Sequence, residues 1–196
     1  MTTAGPRRPG RPRSATATDA VLDAAYRLSA ELGLRGATMQ AVADASGVSK
    51  MTIYKWWPSR LHLLIDAYLR QATVMLPLSE TVAPLQAIRA HAVRYLGALQ
   101  GDLGRVQMAV LAECLAEHGN TDLFVERYLR IRRELGVAVI RRGQRDGSIV
   151  AGRSAEALYD QIYGTIFYRC QFGLKGLNRA FVRALVDSVL QPSAAT

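Results

Sequence analysis

Cysteine is scarce. Cys114 and Cys170 are the only two in 196 residues. They stand far apart without CxxC spacing, so neither a disulfide framework nor a zinc site is expected, and both read as reduced, small buried hydrophobes. No apolar run approaches the ~20 residues of a membrane span. The N-terminus lacks a hydrophobic signal core, and a soluble cytoplasmic chain is expected. Alternating apolar and polar stretches are missing too, which argues against strands. His62, His91 and His118 are dispersed, with no nucleophile–base–acid set, phosphate loop or metal spacing around them. Neither catalysis nor a cofactor is expected. Acid is in deficit: 16 Asp and Glu face 25 Lys and Arg, a net charge of +9 that favours polyanionic partners.

What is present is helical period. Hydrophobic residues make up 49% of the chain, enough for a packed core. Residues 1–15 are the exception, with three prolines, four arginines and two glycines, and are expected to form a disordered basic arm. Beyond it Val21, Leu22, Ala25, Leu28, Ser29 and Leu32 recur at helical spacing, predicting a helix over 18–32 with Thr18 as N-cap and Gly33 just past its end. Thr38 can cap a second helix over 39–45, and Gly47 suits a left-handed turn after it. Ser49 can cap a third over 50–56, ended by Pro58, and Ser59 a fourth over 60–76. Further helices are predicted at about 84–100, 104–117, 121–144, 154–173 and 177–190. The expectation is an all-α chain of about nine helices: an N-terminal three-helix head over 16–60, and a helical body over 61–196 in which the fourth helix is the linker.

The run Thr38–Arg60, TMQAVADASGVSKMTIYKWWPSR, has the layout of a helix-turn-helix reader of double-stranded DNA. Ile53 and Trp57 point inward, toward Met39, Val42 and Ala43. Lys50, Met51, Thr52, Tyr54 and Lys55 then form the outer face. Lys50 can donate to guanine O6 or N7, and Thr52 can meet a thymine methyl or a phosphate. Tyr54 and Lys55 suit backbone phosphates. Thr38 and Arg60 begin neighbouring helices, whose N-termini attract phosphate, and Gln40 can reach the backbone or a base. An ordinary three-helix cluster with a solvated basic face is the plainer alternative.

Within this run, AVADASGVSKMTIYKWWPSR resembles the signature of the TetR family of bacterial one-component transcriptional regulators. The likeness covers about residues 18–70, and YDQIYGTIFYRCQFG at 159–173 resembles a body helix of one branch. The resemblance implies a homodimer with a DNA-reading head and a ligand-binding body. It puts Thr38, Gln40, Lys50, Met51, Thr52, Tyr54, Lys55 and Arg60 at DNA-contacting positions. Met51 stands where a small residue is frequent, and Arg60 where lysine is usual. Trp57 reads as core, whereas Trp56 is divided between core rim and phosphate contact.

The resemblance further implies that helices 154–173 and 177–190 pair with their mates across a twofold axis. Their apolar faces are Leu158, Ile162, Ile166 and Phe167, and Phe181, Leu185, Val186, Val189 and Leu190. Intrachain packing is the alternative. Candidate lining residues for a small-molecule effector are Tyr95, Met108, Leu111, Cys114, Phe124, Tyr128, Ile131, Tyr163, Phe167 and Cys170, each equally readable as core. Few acids or bases sit on these faces, and Glu113 and Arg132 are the first ionisable groups to test. A nonspecific architectural DNA-binding protein is the rival reading, against which the large apolar body argues.

The segment Pro9-Gly10-Arg11-Pro12-Arg13 resembles half of an AT-hook, so Arg11 and Arg13 are candidates for a narrow minor groove; a solubilising tail is the alternative. Deleting residues 1–14 is expected to weaken operator binding several-fold and to lower the dependence of log K on log salt. Titration of binding at several salt concentrations checks this, and an unchanged slope leaves only the tail.

Overall fold

The computed structural model describes residues 15–79 and 81–191. Among them are nine helices and no strand. They are α1 (Ala15–Gly36), α2 (Met39–Ser46), α3 (Lys50–Trp56), α4 (Arg60–Met75), α5 (Pro84–Leu99), α6 (Asp102–His118), a composite α7, α8 (Ala155–Gln171) and α9 (Arg179–Leu190). The composite helix runs from Asp122–Phe124 through a π-helical stretch, Val125–Leu129, into Arg130–Arg145. No helix among the described residues is long and apolar enough to cross a membrane.

Local chemistry sets the boundaries of the head. The Thr38 hydroxyl accepts from the Ala41 N–H at 3.1 Å, and Ser49 from the Thr52 N–H at 3.2 Å. Ser59 accepts from the His62 N–H at 3.4 Å. Three successive helices thus satisfy an otherwise orphaned N–H with a side chain. Between α2 and α3, Gly47 takes φ 69°, and its N–H closes α2 on the Ala43 carbonyl at 3.0 Å. α1 starts at Ala15, so Thr18 lies inside the helix rather than capping it; Gly33, at φ 70°, breaks the helix where its end was predicted.

Two hydrophobic cores organise the chain, and neither follows a boundary at residue 60. The first joins α1–α4 to α6 and the start of α7, through residues such as Val21, Val42, Ile53, Trp57, Leu64, Tyr68, Val110 and Phe124. The second joins α5, the rear of α7, α8 and α9. Leu158, Ile162, Ile166, Val186, Val189 and Leu190, expected on a dimer face, are buried in this second core. The face of α8 is covered by α5, α7 and α9, and that of α9 by α5 and α8, of the same chain. Phe167, Phe181 and Leu185 are only partly buried against it.

Polar bonds clamp α4 to the body along its length. Arg60, at its start, donates to the Leu34 carbonyl at 2.5 Å and pairs with Glu113 on α6. Asp66, at its middle, accepts from Trp57 Nε1 at 2.8 Å and from Arg127 Nε at 2.8 Å. The Tyr68 hydroxyl donates to Gln107 Oε1 on α6 at 2.7 Å. Arg132 donates to the Leu76 carbonyl just past the helix end.

Gly47 tests how the head is fixed. A Cβ there meets no atom within 4 Å, so Gly47→Ala probes backbone conformation alone. The left-handed φ predicts a loss of about 1–2 kcal/mol, read as a lower urea midpoint with an unchanged m-value.

Candidate nucleic-acid interface and an internal cavity

The turn and caps orient α3 so that its two faces differ in kind. Ile53 and Trp57 are buried, while Lys50, Met51, Tyr54 and Lys55 are exposed and Thr52 is half-buried. Met51 is 73% exposed, more than any other large hydrophobic among the described residues. It stands in the first turn of α3, between the exposed Lys50 and the half-buried Thr52. The Thr52 hydroxyl shares a hydrogen bond with Ser49 at 2.8 Å, which orients both at the helix start. Thr38 is exposed, and its hydroxyl hydrogen stays available while the oxygen accepts from Ala41. Gln40 is also exposed but donates to Asp44 at 2.8 Å, so that bond competes with any other use of its amide. Trp56 lies half-buried against the first core, edge-on to Trp57 with ring centres 5.8 Å apart.

Arg60 departs from expectation. Its guanidinium turns inward to Leu34 and Glu113, so it ties the head to α6 instead of standing beside α3 as a phosphate brace. The carboxylate that captures it lies 53 residues on and is only 16% exposed. Arg11 and Arg13 lie outside the described residues.

A cavity of about 330 Å³ opens where the two cores meet. Tyr95 on α5, Gln107 and Leu111 on α6, Phe124, Tyr128 and Arg132 on α7, and Tyr159, Tyr163 and Phe167 on α8 line it. Six expected residues are therefore brought together: Tyr95, Leu111, Phe124, Tyr128, Tyr163 and Phe167. Met108, Cys114, Ile131 and Cys170 are not among the lining. Met108 follows Gln107 and is rotated off the cavity face of α6. Cys114 is buried in the first core, Ile131 is 40% exposed, and Cys170 packs against the second core. Sequence reading missed His91, Gln107 and Tyr159, although each lies four residues before a residue it named, on the same helical face: Tyr95, Leu111 and Tyr163.

Two details shape the walls. Gly136 leaves room for Tyr159, whose ring would sit 2.2 Å from any Cβ at that position. The π-helical stretch brings Val125, Tyr128 and Leu129 to the cavity within five residues. Such stretches recur at functional sites.

The polar groups are few and interlocked. His91 is buried, with Nδ1 2.7 Å from the Tyr163 hydroxyl and Nε2 3.2 Å from Arg132 Nη2. Arginine only donates, so Nε2 must accept. His91 is then neutral, with its proton on Nδ1 and donated to Tyr163, which leaves the Tyr163 hydroxyl hydrogen for another acceptor. Burial, and then the charges of Arg132 and Arg94, hold the His91 pKa down from 6.5 to about 3. Burial likewise pushes the Tyr95 and Tyr163 hydroxyls well above the usual tyrosine value.

His91 therefore contributes a pH dependence of stability. Its folded pKa is depressed, so between pH 6.5 and about 3 the unfolded chain binds the extra proton. The contribution is complete above the unfolded value and is lost as pH falls toward the folded one. Urea unfolding across this range should show a stability slope that flattens in His91→Gln by up to about 1.4 kcal/mol per pH unit. Equal slopes would mean that His91 protonates freely in the fold.

With this geometry in place, the chain matches two family models: "Bacterial regulatory proteins, tetR family" over residues 21–67, and "Tetracyclin repressor-like, C-terminal domain" over residues 83–189. It is similar to the HTH-type transcriptional regulator YdeS of Bacillus subtilis, 33% identical over 192 residues, covering 95% of this chain and 94% of that protein. The crystal structure of the TetR family transcription regulator SCO0332 superposes with a TM-score of 0.79 at 26% identity, covering 88% of this chain and 96% of that one. AibR, in complex with isovaleryl coenzyme A and operator DNA, shares the fold at a TM-score of 0.57 and 15% identity, over 90% of this chain and 100% of that one. Helix-turn-helix head, helical body and both matches agree: the chain belongs to the TetR family of transcriptional regulators.

Proposed function

We propose that this regulator is a ligand-responsive repressor that binds a palindromic operator as a homodimer. The observation that carries the reading is the position of the cavity, between the core that contains the DNA-reading head and the core that does not. A ligand there meets Phe124 and Tyr128 of one core and Tyr159 and Tyr163 of the other. It can therefore bind one arrangement of the two cores better than another, and shift DNA affinity by that difference and no more.

In this reading Lys50 and Thr52 meet base edges and Met51 meets a thymine methyl. Tyr54, Lys55 and Thr38 hold phosphates, Gln40 reaches the backbone once it leaves Asp44, and Arg11 and Arg13 enter the minor groove. The dimer forms through α8 and α9. Supporting it are Tyr168 and Phe172, 58% and 65% exposed at the end of α8, and the partly exposed Phe181 and Leu185 on α9. Reading two half-sites needs two heads about 34–36 Å apart. AibR, bound to both operator DNA and an acyl-coenzyme A, supports one fold serving both kinds of partner.

Selection of bound duplexes from a random pool is expected to return an inverted repeat whose half-sites lie about 10 base pairs apart. Lys50→Ala should cost about 1–3 kcal/mol and relax the preference at one base pair of each half-site. A pool without symmetry, or equal binding of selected and random DNA, would instead favour a nonspecific architectural role.

A further inference from the structure

We propose that the effector is a monocarboxylate, an aryl or short acyl acid, whose carboxylate lies on Arg132 and whose apolar end packs among the cavity's tyrosines; this rests on the cavity being the effector site. Arg132 is 9% exposed and lines the cavity. Among the described residues no carboxylate lies within ion-pair distance of it. Its neighbour Arg133 shows the contrast: Asp160 accepts from Arg133 Nε and Nη2 at 2.8 and 2.6 Å, so that charge is answered within the chain.

Arg132 reaches two neutral acceptors, the Leu76 carbonyl and His91 Nε2, and both bonds come from Nη2. Nε and Nη1 have no acceptor among the described residues. A guanidinium remains charged at any physiological pH, and a buried charge without a counter-charge is costly. An anion entering the cavity supplies one. The Tyr163 hydroxyl hydrogen, released by the His91 tautomer, offers a second donor.

Charge and shape narrow the class further. Most of the remaining walls are apolar, and Tyr95, Phe124, Tyr128, Tyr159 and Phe167 suit an aryl ring or a short acyl chain; Gln107, Thr121 and the Arg133–Asp160 pair are their other polar groups. Among the lining cations, only Arg132 is both buried and without an acid, and one guanidinium answers one negative charge. A coenzyme A ester carries several phosphates, for which the walls hold only Arg132 and Arg133, the second already paired with Asp160. An amine would meet the charge of Arg132, while the one carboxylate among the lining residues, Asp160, is already paired with Arg133.

Calorimetry on the full chain with 3-phenylpropionate, its amide, octanoate and benzoyl-coenzyme A tests the proposal, beside the variants Arg132→Gln and Arg132→Lys. The acid is expected to bind roughly 10- to 100-fold tighter than its amide, the range of a charge-assisted bond. That ratio should fall to near one in Arg132→Gln and survive in part in Arg132→Lys. Circular dichroism confirms that each variant folds; should Arg132→Gln unfold, the native ratio and Arg132→Lys decide.

Acid and amide binding alike in the native chain, a ratio that persists in Arg132→Gln, or benzoyl-coenzyme A binding tighter than the acid would each overturn the assignment. Operator release by neutral 2-naphthol, with no binding of either acid, overturns it while leaving the cavity as the effector site. Failure of acids, amide and naphthol alike to bind overturns both.

Discussion

Asp66 is the group on which the seating of α3 and α7 against α4 depends. Its carboxylate accepts from the indole N–H of Trp57, at the end of the recognition helix, and from the guanidinium of Arg127, inside the π-helical stretch of α7. Trp57 is 1% exposed, so its N–H has no ready replacement in water. An unmet buried donor costs about 1–3 kcal/mol. Without Asp66 the Arg127 charge would also lose its acid. One half-buried side chain on α4 thus fixes both the seat of α3 and the entry of α7 into the cavity wall.

The other clamps on α4 follow the same economy of contact. Arg60 holds its start to Glu113 on α6, Tyr68 holds its middle to Gln107, and Arg132 holds the Leu76 carbonyl beyond its end. Tyr68 also packs edge-on against Tyr128, with ring centres 4.7 Å apart. Two of these partners, Gln107 and Arg132, line the cavity themselves, and so does Leu76. A ligand that alters how they bond acts directly on α4. No long relay of intermediate residues is needed, because α4 belongs to the core of the head.

Much of this was legible in the sequence, and the boundary of legibility has a physical cause. Caps at Thr38, Ser49 and Ser59, and the glycine at 47, are local signals, and the helices begin and end within a few residues of where those signals point. Period 3.6 reveals that a helix has an apolar face but not what covers it. Leu158, Ile162 and Ile166 were therefore readable as a face and open to misassignment to a second subunit, when α5 and α7 of the same chain already bury them. Arg60 shows the same limit for charge: its exposed-looking place after Pro58 gives no hint of Glu113. The cavity was half legible, because aromatic residues at helical spacing mark a face; His91 and Gln107 share that face one turn before Tyr95 and Leu111, but a polar side chain at such a position reads equally as solvent-facing.

The π-helical stretch is the clearest case of local preference yielding to tertiary bonds. An α-helix is the more stable continuation for VERYL, and nothing in its residues breaks one. In the fold, Arg127 must reach Asp66 on α4, and the ring of Tyr128 must fit between Tyr68 and Phe124, with ring centres 4.7 and 4.9 Å away. Val125 and Leu129, four residues apart, meanwhile both face the cavity. The widened turn accommodates all of these at once. Its stability is therefore borrowed from the bonds to α4, and it answers to a change in how α4 sits. Conversely, a ligand pressed against Val125, Tyr128 and Leu129 acts on the segment that carries Arg127. Through Asp66 that segment shares its one carboxylate with Trp57, so the wall of the cavity and the seat of the recognition helix answer to the same bond.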